Sequence, residues 1–452
     1  MRQFSSLASM RRTFALTASA VLLASCSDTN NTNGAPNASI RCDADNGGIT
    51  LPTGFCAVVV ADLVSGGAPA QARHMVVTPS GDLFVAINPA SSGQPPFGII
   101  GLRDNDGDGK ADQQTTFSAN LGGSGIAWGD GVLYFGANDR VMRYKLPSGQ
   151  LSPTGDAEVV VSGLPSVGDH VSKSLVLADA QRLFVNIGSA SNSCQVTNRI
   201  AQSPGVFPCG DLPIRAGVWL FNPSGTNQTE AQGQHYAMGY RNLVALAFNP
   251  KNNSLYAVQH GRDMLFENWP QFFSVDQDAV LPAEEFVRIA EGSNNGWPYC
   301  FYDAVFTQKK LLAPEFGGDG QRVSDAARGI NCATFNQPLA TFGGHWAPNG
   351  LRFYAGNQFP DHYRGGAFVA FHGGFDRAPL PNEGFKVMFV PMSADGVPTG
   401  PSEVFADGFA GSTGVLPASA VHRPVGVTEG PDGSLYVSDD KGGRIWRIVY
   451  RP

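Results

Sequence analysis

Along most of the chain, hydrophobic and polar positions alternate with a period of two. Short apolar runs are punctuated by Gly, Asp, Asn and Pro, which predicts strands joined by turns rather than helices. One phrase recurs: a turn with Gly or Asp, then Leu or Ala, an aromatic, and a β-branched or small residue. It reads Pro79-Ser-Gly-Asp-Leu-Phe-Val85, Gly129-Asp-Gly-Val-Leu-Tyr-Phe135, Ala180-Gln-Arg-Leu-Phe-Val185, Asn252-Asn-Ser-Leu-Tyr-Ala257, Arg364-Gly-Gly-Ala-Phe-Val369 and Pro431-Asp-Gly-Ser-Leu-Tyr-Val437. Aligned on Leu83, Leu133, Leu183, Leu255, Ala367 and Leu435, the units are spaced by 50, 50, 72, 112 and 68 residues. A repeated strand unit of this size predicts an all-β fold, a six-bladed β-propeller with long loops between some strands. Residues 56–64 precede the first unit and are rich in Val; they are expected to add a strand to the last blade and close the ring.

Composition agrees. Gly (55) and Pro (31) are abundant in the 452 residues and only 15% are charged, which excludes intrinsic disorder and a coiled coil. The net charge of −7 argues against a nucleic-acid partner, whose phosphates call for Lys and Arg.

The N-terminus reads as an address. Arg2, Arg11 and Arg12 precede the apolar run from Phe14 to Leu23, too short for a comfortable membrane span. Leu23-Ala-Ser-Cys26 resembles the lipobox of bacterial lipoproteins, which implies a signal peptide over 1–25 and lipidation of Cys26. Ser27 after the cysteine favours the outer membrane by the same resemblance, with the lipid as the chain's only membrane contact. Residues 26–41 form the expected tether and 42–452 the propeller domain. The remaining six cysteines suit an oxidising compartment and allow 15 connectivities. Sequence proximity favours Cys42–Cys56, Cys194–Cys209 and Cys300–Cys332. No C-x-x-C-H is present, so no c-type haem is attached.

Four further phrases carry a family resemblance: Gly239-Tyr-Arg-Asn242, Asn294-Asn-Gly-Trp-Pro-Tyr-Cys300, His345-Trp-Ala-Pro348 and His422-Arg-Pro-Val-Gly-Val427. Together with Phe371-His-Gly-Gly-Phe-Asp-Arg-Ala-Pro379, they resemble the soluble quinoprotein sugar dehydrogenases, in particular the sorbosone dehydrogenase-like branch. That family is six-bladed and oxidises sugar hydroxyls or aldehydes with pyrroloquinoline quinone (PQQ) and calcium, passing electrons to an external quinone or cytochrome.

The resemblance assigns roles that the chemistry makes sensible. Removing a hydride from a sugar C–H requires a base for the adjacent O–H proton, and His170 stands where the family has its catalytic histidine. Asp169 is expected to orient or bias that ring. Arg241 is expected beside the accepting carbonyl, with Asn242 contacting the quinone. Arg423, Arg73 and Arg377 are candidates for the cofactor's three carboxylates. Calcium takes oxygen ligands, and the resemblance points to the backbone carbonyls of Gly261 and Arg262 for the calcium that contacts PQQ and to the carboxylate of Glu285 at a second calcium. Trp297 is expected to floor the substrate cleft, although core packing is an equal reading. The glucose-oxidising branch has a lysine where this chain has Asn349. Separately, Asp104-Asn-Asp-Gly-Asp-Gly-Lys-Ala-Asp112 begins like a calcium loop but has Thr115 in place of the closing Glu. A plain turn is the competing reading. The alternative function is a propeller that only binds, or a calcium-dependent lactonase.

Overall fold

Each of the six phrases forms the second strand of a radial sheet. In the computed structural model, which describes residues 40–65, 67–88, 98–118 and 121–452, these strands are Leu83–Asn88, Val132–Ala137, Leu183–Ile187, Ser254–Gln259, Ala367–Phe371 and Leu435–Asp439. The leader, Cys26 and all but the last two residues of the tether lie outside the described residues. Each second strand pairs antiparallel with an inner strand: Gln71–Val77, Gly123–Gly129, Leu175–Leu177, Ala245–Asn249, Pro348–Phe353 and Pro424–Glu429. Neighbouring inner strands touch in turn around the circle, the sixth touching the first. The expected six-bladed β-propeller is therefore observed.

Closure also runs as expected. Phe55–Asp62 pairs antiparallel with Arg444–Tyr450 and becomes the outer strand of the sixth blade. Phe55 anchors it, stacking edge-on against Phe359, Tyr363 and Phe405 of the fifth blade. The N-terminal strand thereby covers an edge that would otherwise present unpaired N–H and C=O groups.

Cores lie between adjacent blades, built from the alternate buried residues of facing sheets, as with Leu183, Val185 and Trp219 against Val141 and Val160. Near the channel the blades approach backbone to side chain. A Cβ on Gly426 would sit 2.5 Å from the Arg73 carbonyl oxygen, so glycine is required there.

The wide unit spacings of 72 and 112 residues correspond to excursions from the third and fourth blades, at 188–216, 260–283 and 290–339. These carry a separate apolar cluster of Leu265, Trp269, Phe273, Trp297, Tyr299 and Phe316. Two of the disulfides, Cys194–Cys209 and Cys300–Cys332, are in this cluster, and Cys42–Cys56 ties the first described segment to the closing strand. All three pairings match the expectation from proximity.

Strand direction decides where chemistry can gather. Inner strands run parallel to one another around the ring, and second strands run opposite. Residues that open an inner or third strand, and residues that follow a second strand, therefore share one mouth of the channel. His170, Arg241 and Arg423 precede inner strands, Arg73 opens one, and His260, His372 and Asp440 follow second strands.

Candidate active site at one channel mouth

At that mouth a cavity of about 360 Å³ is walled by His170, Asp169, Arg199, Arg241, Asp263 and Glu284, with His260, His345 and Phe375 also at its surface. His170 is half-buried on the loop entering the third blade. Its Nδ1 lies 3.1 Å from the Ser189 carbonyl oxygen and 2.9 Å from the Ser189 hydroxyl. That hydroxyl already donates to the Ser191 carbonyl, so both neighbours of Nδ1 accept. Nδ1 must carry the ring proton, which leaves the lone pair of the neutral ring on Nε2. Burial first, then the charges of Arg241 and His260, push His170 well below its ordinary value and keep it neutral at pH 7. Gly188 permits the crowding here, because a Cβ would lie 2.6 Å from the His170 Cβ and 3.1 Å from Asn242 Oδ1.

Arg241 is buried and fixed. It donates from Nε to the Asn192 carbonyl at 3.1 Å and from Nη2 to Asn192 Oδ1 at 3.0 Å and Asp263 Oδ2 at 2.8 Å. Arg199 shares Asp263 Oδ2 at 2.9 Å and reaches Asp169 at 3.1 Å. Burial alone would raise Asp263, but Arg241 and Arg199 outweigh it and hold the carboxyl well below the usual carboxylate range. Asp169 thus belongs to an Asp169–Arg199–Asp263–Arg241 chain of charges and makes no hydrogen bond to His170.

Across the channel lies a second cationic group. Arg73 donates to Asp440 at 2.5 Å and to Ser124 at 3.2 Å, and Asp440 also contacts His372 Nε2 at 2.6 Å. Arg423 donates to the carbonyls of His372 and Gly373. Asn349 links the two sides, its carbonyl 2.8 Å from His74 Nε2 and its Oδ1 3.0 Å from His260 Nε2. His170, Arg241, Asp169, Arg73 and Arg423 therefore gather at one mouth, with Asn242 behind His170.

Other expected residues are elsewhere. Glu285 points away from the cavity and is ion-paired with buried Lys310 at 2.7 Å; adjacent strand residues face opposite sides, and it is Glu284 that faces the mouth. Trp297 is 5% exposed within the apolar cluster of the excursions and does not floor the cleft. Its Nε1 donates to the same Asn192 carbonyl that receives Arg241, so it supports the arginine from behind. Arg377 is a buried strut, donating to the carbonyls of Pro381, Ala279 and Gly344. The Arg262 side chain turns inward to Glu315 at 2.5 Å, while Gly261 lies on the cavity wall. Asp104, Asp106 and Asp108 do cluster on the far side of the first blade, where Asp104 also accepts from two backbone N–H groups.

Glu284, Asp263, Arg199, His345 and Phe375 were missed by the sequence reading. His345 and Phe375 lay within phrases already singled out, and Asp263 directly follows Gly261 and Arg262; Arg199 carried no signal. Glu284 is the most informative. Its oxygens accept from the backbone N–H groups of Gly261 at 2.7 Å and Ala347 at 3.2 Å, and among the described residues no Lys or Arg pairs with it. Burial pushes it up to about 8. A buried carboxylate that faces a cavity and has no ion-pair partner among the described residues is the kind of donor a hard metal ion such as calcium takes. The guanidinium groups of Arg199, Arg241, Arg73 and Arg423 around the same mouth suit a flat polycarboxylate such as PQQ. The residues present fit both groups.

Comparison with known proteins agrees with the architecture. A TrAA12-like family model matches residues 50–451. The structure of a Trichoderma reesei carbohydrate-active enzyme of family AA12 superposes with a TM-score of 0.69 at 19% identity, covering 89% of this chain and 98% of that one. The holo form of the pyranose dehydrogenase PQQ domain from Coprinopsis cinerea gives 0.68 at 18% identity, covering 92% and 99%. At such identities the likeness is one of fold. An uncharacterised protein of Borreliella burgdorferi is 27% identical over 216 residues, 47% of this chain and 48% of its own. The chain spans about half the length of the curated relatives it matches.

Proposed function

The chain belongs to the TrAA12-like family, and from that premise we propose that it oxidises a sugar at a hydroxyl or hydrated aldehyde carbon. The cofactors in this reading are PQQ and calcium, and electrons leave to an external quinone or cytochrome. The observation that carries it is the state of His170, a neutral ring whose only free nitrogen holds a lone pair at a cavity lined by arginine.

His170 Nε2 takes the proton of the substrate hydroxyl, and the Ser189 oxygens stabilise the charge that forms on the ring. PQQ, when bound, supplies the two-electron acceptor for the substrate's C–H hydride. Arg241, Asn242, Arg73 and Arg423 are the side chains that would hold it. Arg241 places a fixed positive charge at the cavity wall, where negative charge develops during the transfer. Asp263 and Asn192 lock the guanidinium, so little reorganisation accompanies the reaction. Glu284, with the Gly261 and Arg262 carbonyls, would hold calcium. Phe375, 56% exposed at the rim, offers an aromatic face on which the apolar side of a pyranose stacks.

The same reading places the protein outside the cytoplasm, held at the bacterial outer membrane by lipid on Cys26 and facing the periplasm or cell surface. Three disulfides suit that compartment. A Cys26→Ala variant expressed in a lipoprotein-processing host is expected to lose incorporation of radiolabelled palmitate; labelling equal to that of the wild type would refute the anchor. The central test is reconstitution with PQQ and calcium, followed by dye reduction with a panel of aldoses. Turnover of at least one sugar and a cofactor absorbance change are expected. Wild-type protein that binds PQQ and turns over none of them would overturn the dehydrogenase reading.

A further inference from the structure

Beyond the base and the arginines, the cavity wall carries a second constellation. Three loops meet there: residues 260–264 after the fourth blade's second strand, 343–347 before the fifth blade, and 373–377 after the fifth blade's second strand. They bring together Asp263, His345 and Asp376, whose ligand-type atoms all lie within 4.8 Å of one another.

His345 is 7% exposed, and its orientation is fixed. Nε2 lies 2.8 Å from the Asp278 carbonyl oxygen and 3.0 Å from that of Leu281. Both are pure acceptors, so Nε2 carries a proton, and Nδ1 is the nitrogen left to take a ligand. A carbonyl contact on one nitrogen is the usual means of presenting the other to a metal. Among the described residues Nδ1 has no hydrogen-bond partner. It faces Asp263 Oδ1 at 4.0 Å, and this oxygen is distinct from Oδ2, which takes both arginines. Asp376 accepts one bond at Oδ2, from the Met264 N–H at 3.0 Å. Among the described residues, neither Asp376 nor its neighbour Asp278 forms an ion pair with Lys or Arg, and Glu267 adds a third carboxylate beside them. Nδ1 and two carboxylate oxygens facing one another at the cavity wall form a donor set that a cation between them would complete.

We propose that His345 Nδ1, Asp263 Oδ1 and the Asp376 carboxylate form a site for a first-row divalent transition ion of the zinc or manganese class. One imidazole with two carboxylates is a poor set for calcium, which takes oxygen alone, and a good one for these ions. Tetrahedral ligands with bonds of ~2.1 Å stand ~3.4 Å apart, so the 4.0 Å gap between Nδ1 and Oδ1 needs a closure of about half an ångström. The ion would tie the Phe375 loop to the wall that holds Arg241. The site uses none of the Glu284 oxygens, although both face the same cavity, and zinc binding measured without PQQ is read apart from the dehydrogenase reaction.

The test is equilibrium dialysis of the chelator-treated full chain against Zn2+, without PQQ and with calcium in millimolar excess, followed by metal analysis. About one equivalent of Zn2+ is expected, with loss of at least tenfold in affinity in Asp376→Asn, a replacement of the same shape, and in His345→Ala. Because His345→Ala also releases two backbone carbonyls, Co2+ loading of the wild type gives a second readout: visible d–d absorption at one equivalent, abolished by Asp376→Asn. No bound zinc in the wild type, zinc displaced by calcium, or unchanged affinity in Asp376→Asn would overturn the proposal.

Discussion

Replacing Glu284 by Gln separates the electrostatics of the mouth from its chemistry. In the folded chain without metal, burial pushes Glu284 up to about 8, from 4.5 for a free carboxyl. The folded state therefore keeps a proton that the unfolded chain releases. The stability this contributes is fully present below pH ~4.5 and is lost as pH rises through ~8, an effect of up to ~5 kcal/mol. Gln cannot ionise, so the variant lacks this dependence. It has its own cost, since its NH2 must face the N–H of either Gly261 or Ala347, both of which donate to the carboxylate. One lost acceptor is worth ~1–2 kcal/mol.

The two stability curves should accordingly cross. At pH 4 the variant is weaker by ~1–2 kcal/mol, and at pH 9 it is stronger by ~3 kcal/mol, when both are unfolded by urea in EDTA and followed by tryptophan fluorescence. Calcium at a hundredfold excess over its dissociation constant should add ~2.7 kcal/mol to the wild type at pH 8 and much less to the variant. Parallel pH curves for the two proteins would refute the assignment of an uncompensated buried carboxylate. Equal stabilisation of both by calcium would refute Glu284 as its ligand.

His170→Gln is expected to lower kcat by ~10²–10⁴ while PQQ still binds by absorbance titration. In the wild type, the acid limb of kcat/KM should lie below pH 6.5, because the ring is held neutral; a limb at or above that value would contradict the burial argument. Phe375→Ala should raise KM for a pyranose by ~3–10-fold with a smaller change in kcat, the value of one aromatic face, and an unchanged KM would remove the stacking role. Lys173 is fully buried between the carbonyls of Pro165 and Val171 on the His170 loop, and burial together with Arg215 pushes it down to about 7. Its folded state sheds a proton that the unfolded chain keeps up to pH ~10.5, so wild-type stability should gain from this group between pH ~7 and ~10.5. Lys173→Met should flatten that rise in urea titrations, and an identical rise in both proteins would count against it.

What the sequence could and could not disclose follows from how each feature is encoded. The blades were legible because every second strand repeats a turn, a leucine or alanine and an aromatic, and because alternation is a local property. Even the closing strand could be placed, since an apolar run before the first unit has no other edge to cover. The pocket is encoded differently. Glu284 and Glu285 show this: with a period of two, a step of one residue moves a carboxylate from the cavity wall into an ion pair with Lys310. Nothing in the strand itself says which of two adjacent glutamates faces the channel; that depends on where the blade sits. Trp297 was left between two readings for another reason. Its Gly-Trp-Pro phrase signals a distinctive local structure, but only the folding of 290–339 over the third and fourth blades decides that the indole is enclosed and bonded to Asn192. Arg199 and Asp263 lie in different excursions, and their meeting depends on both loops finding one mouth. The wide spacings of 72 and 112 residues showed that large excursions exist and between which units. Their function lies in charge pairs between segments far apart in the chain, and such pairs leave no periodic trace. Where a repeat fixes the scaffold, strand direction fixes the end of the channel at which those pairs form; the base and its arginines were assigned by the family resemblance, and the strand directions bring them to that one mouth.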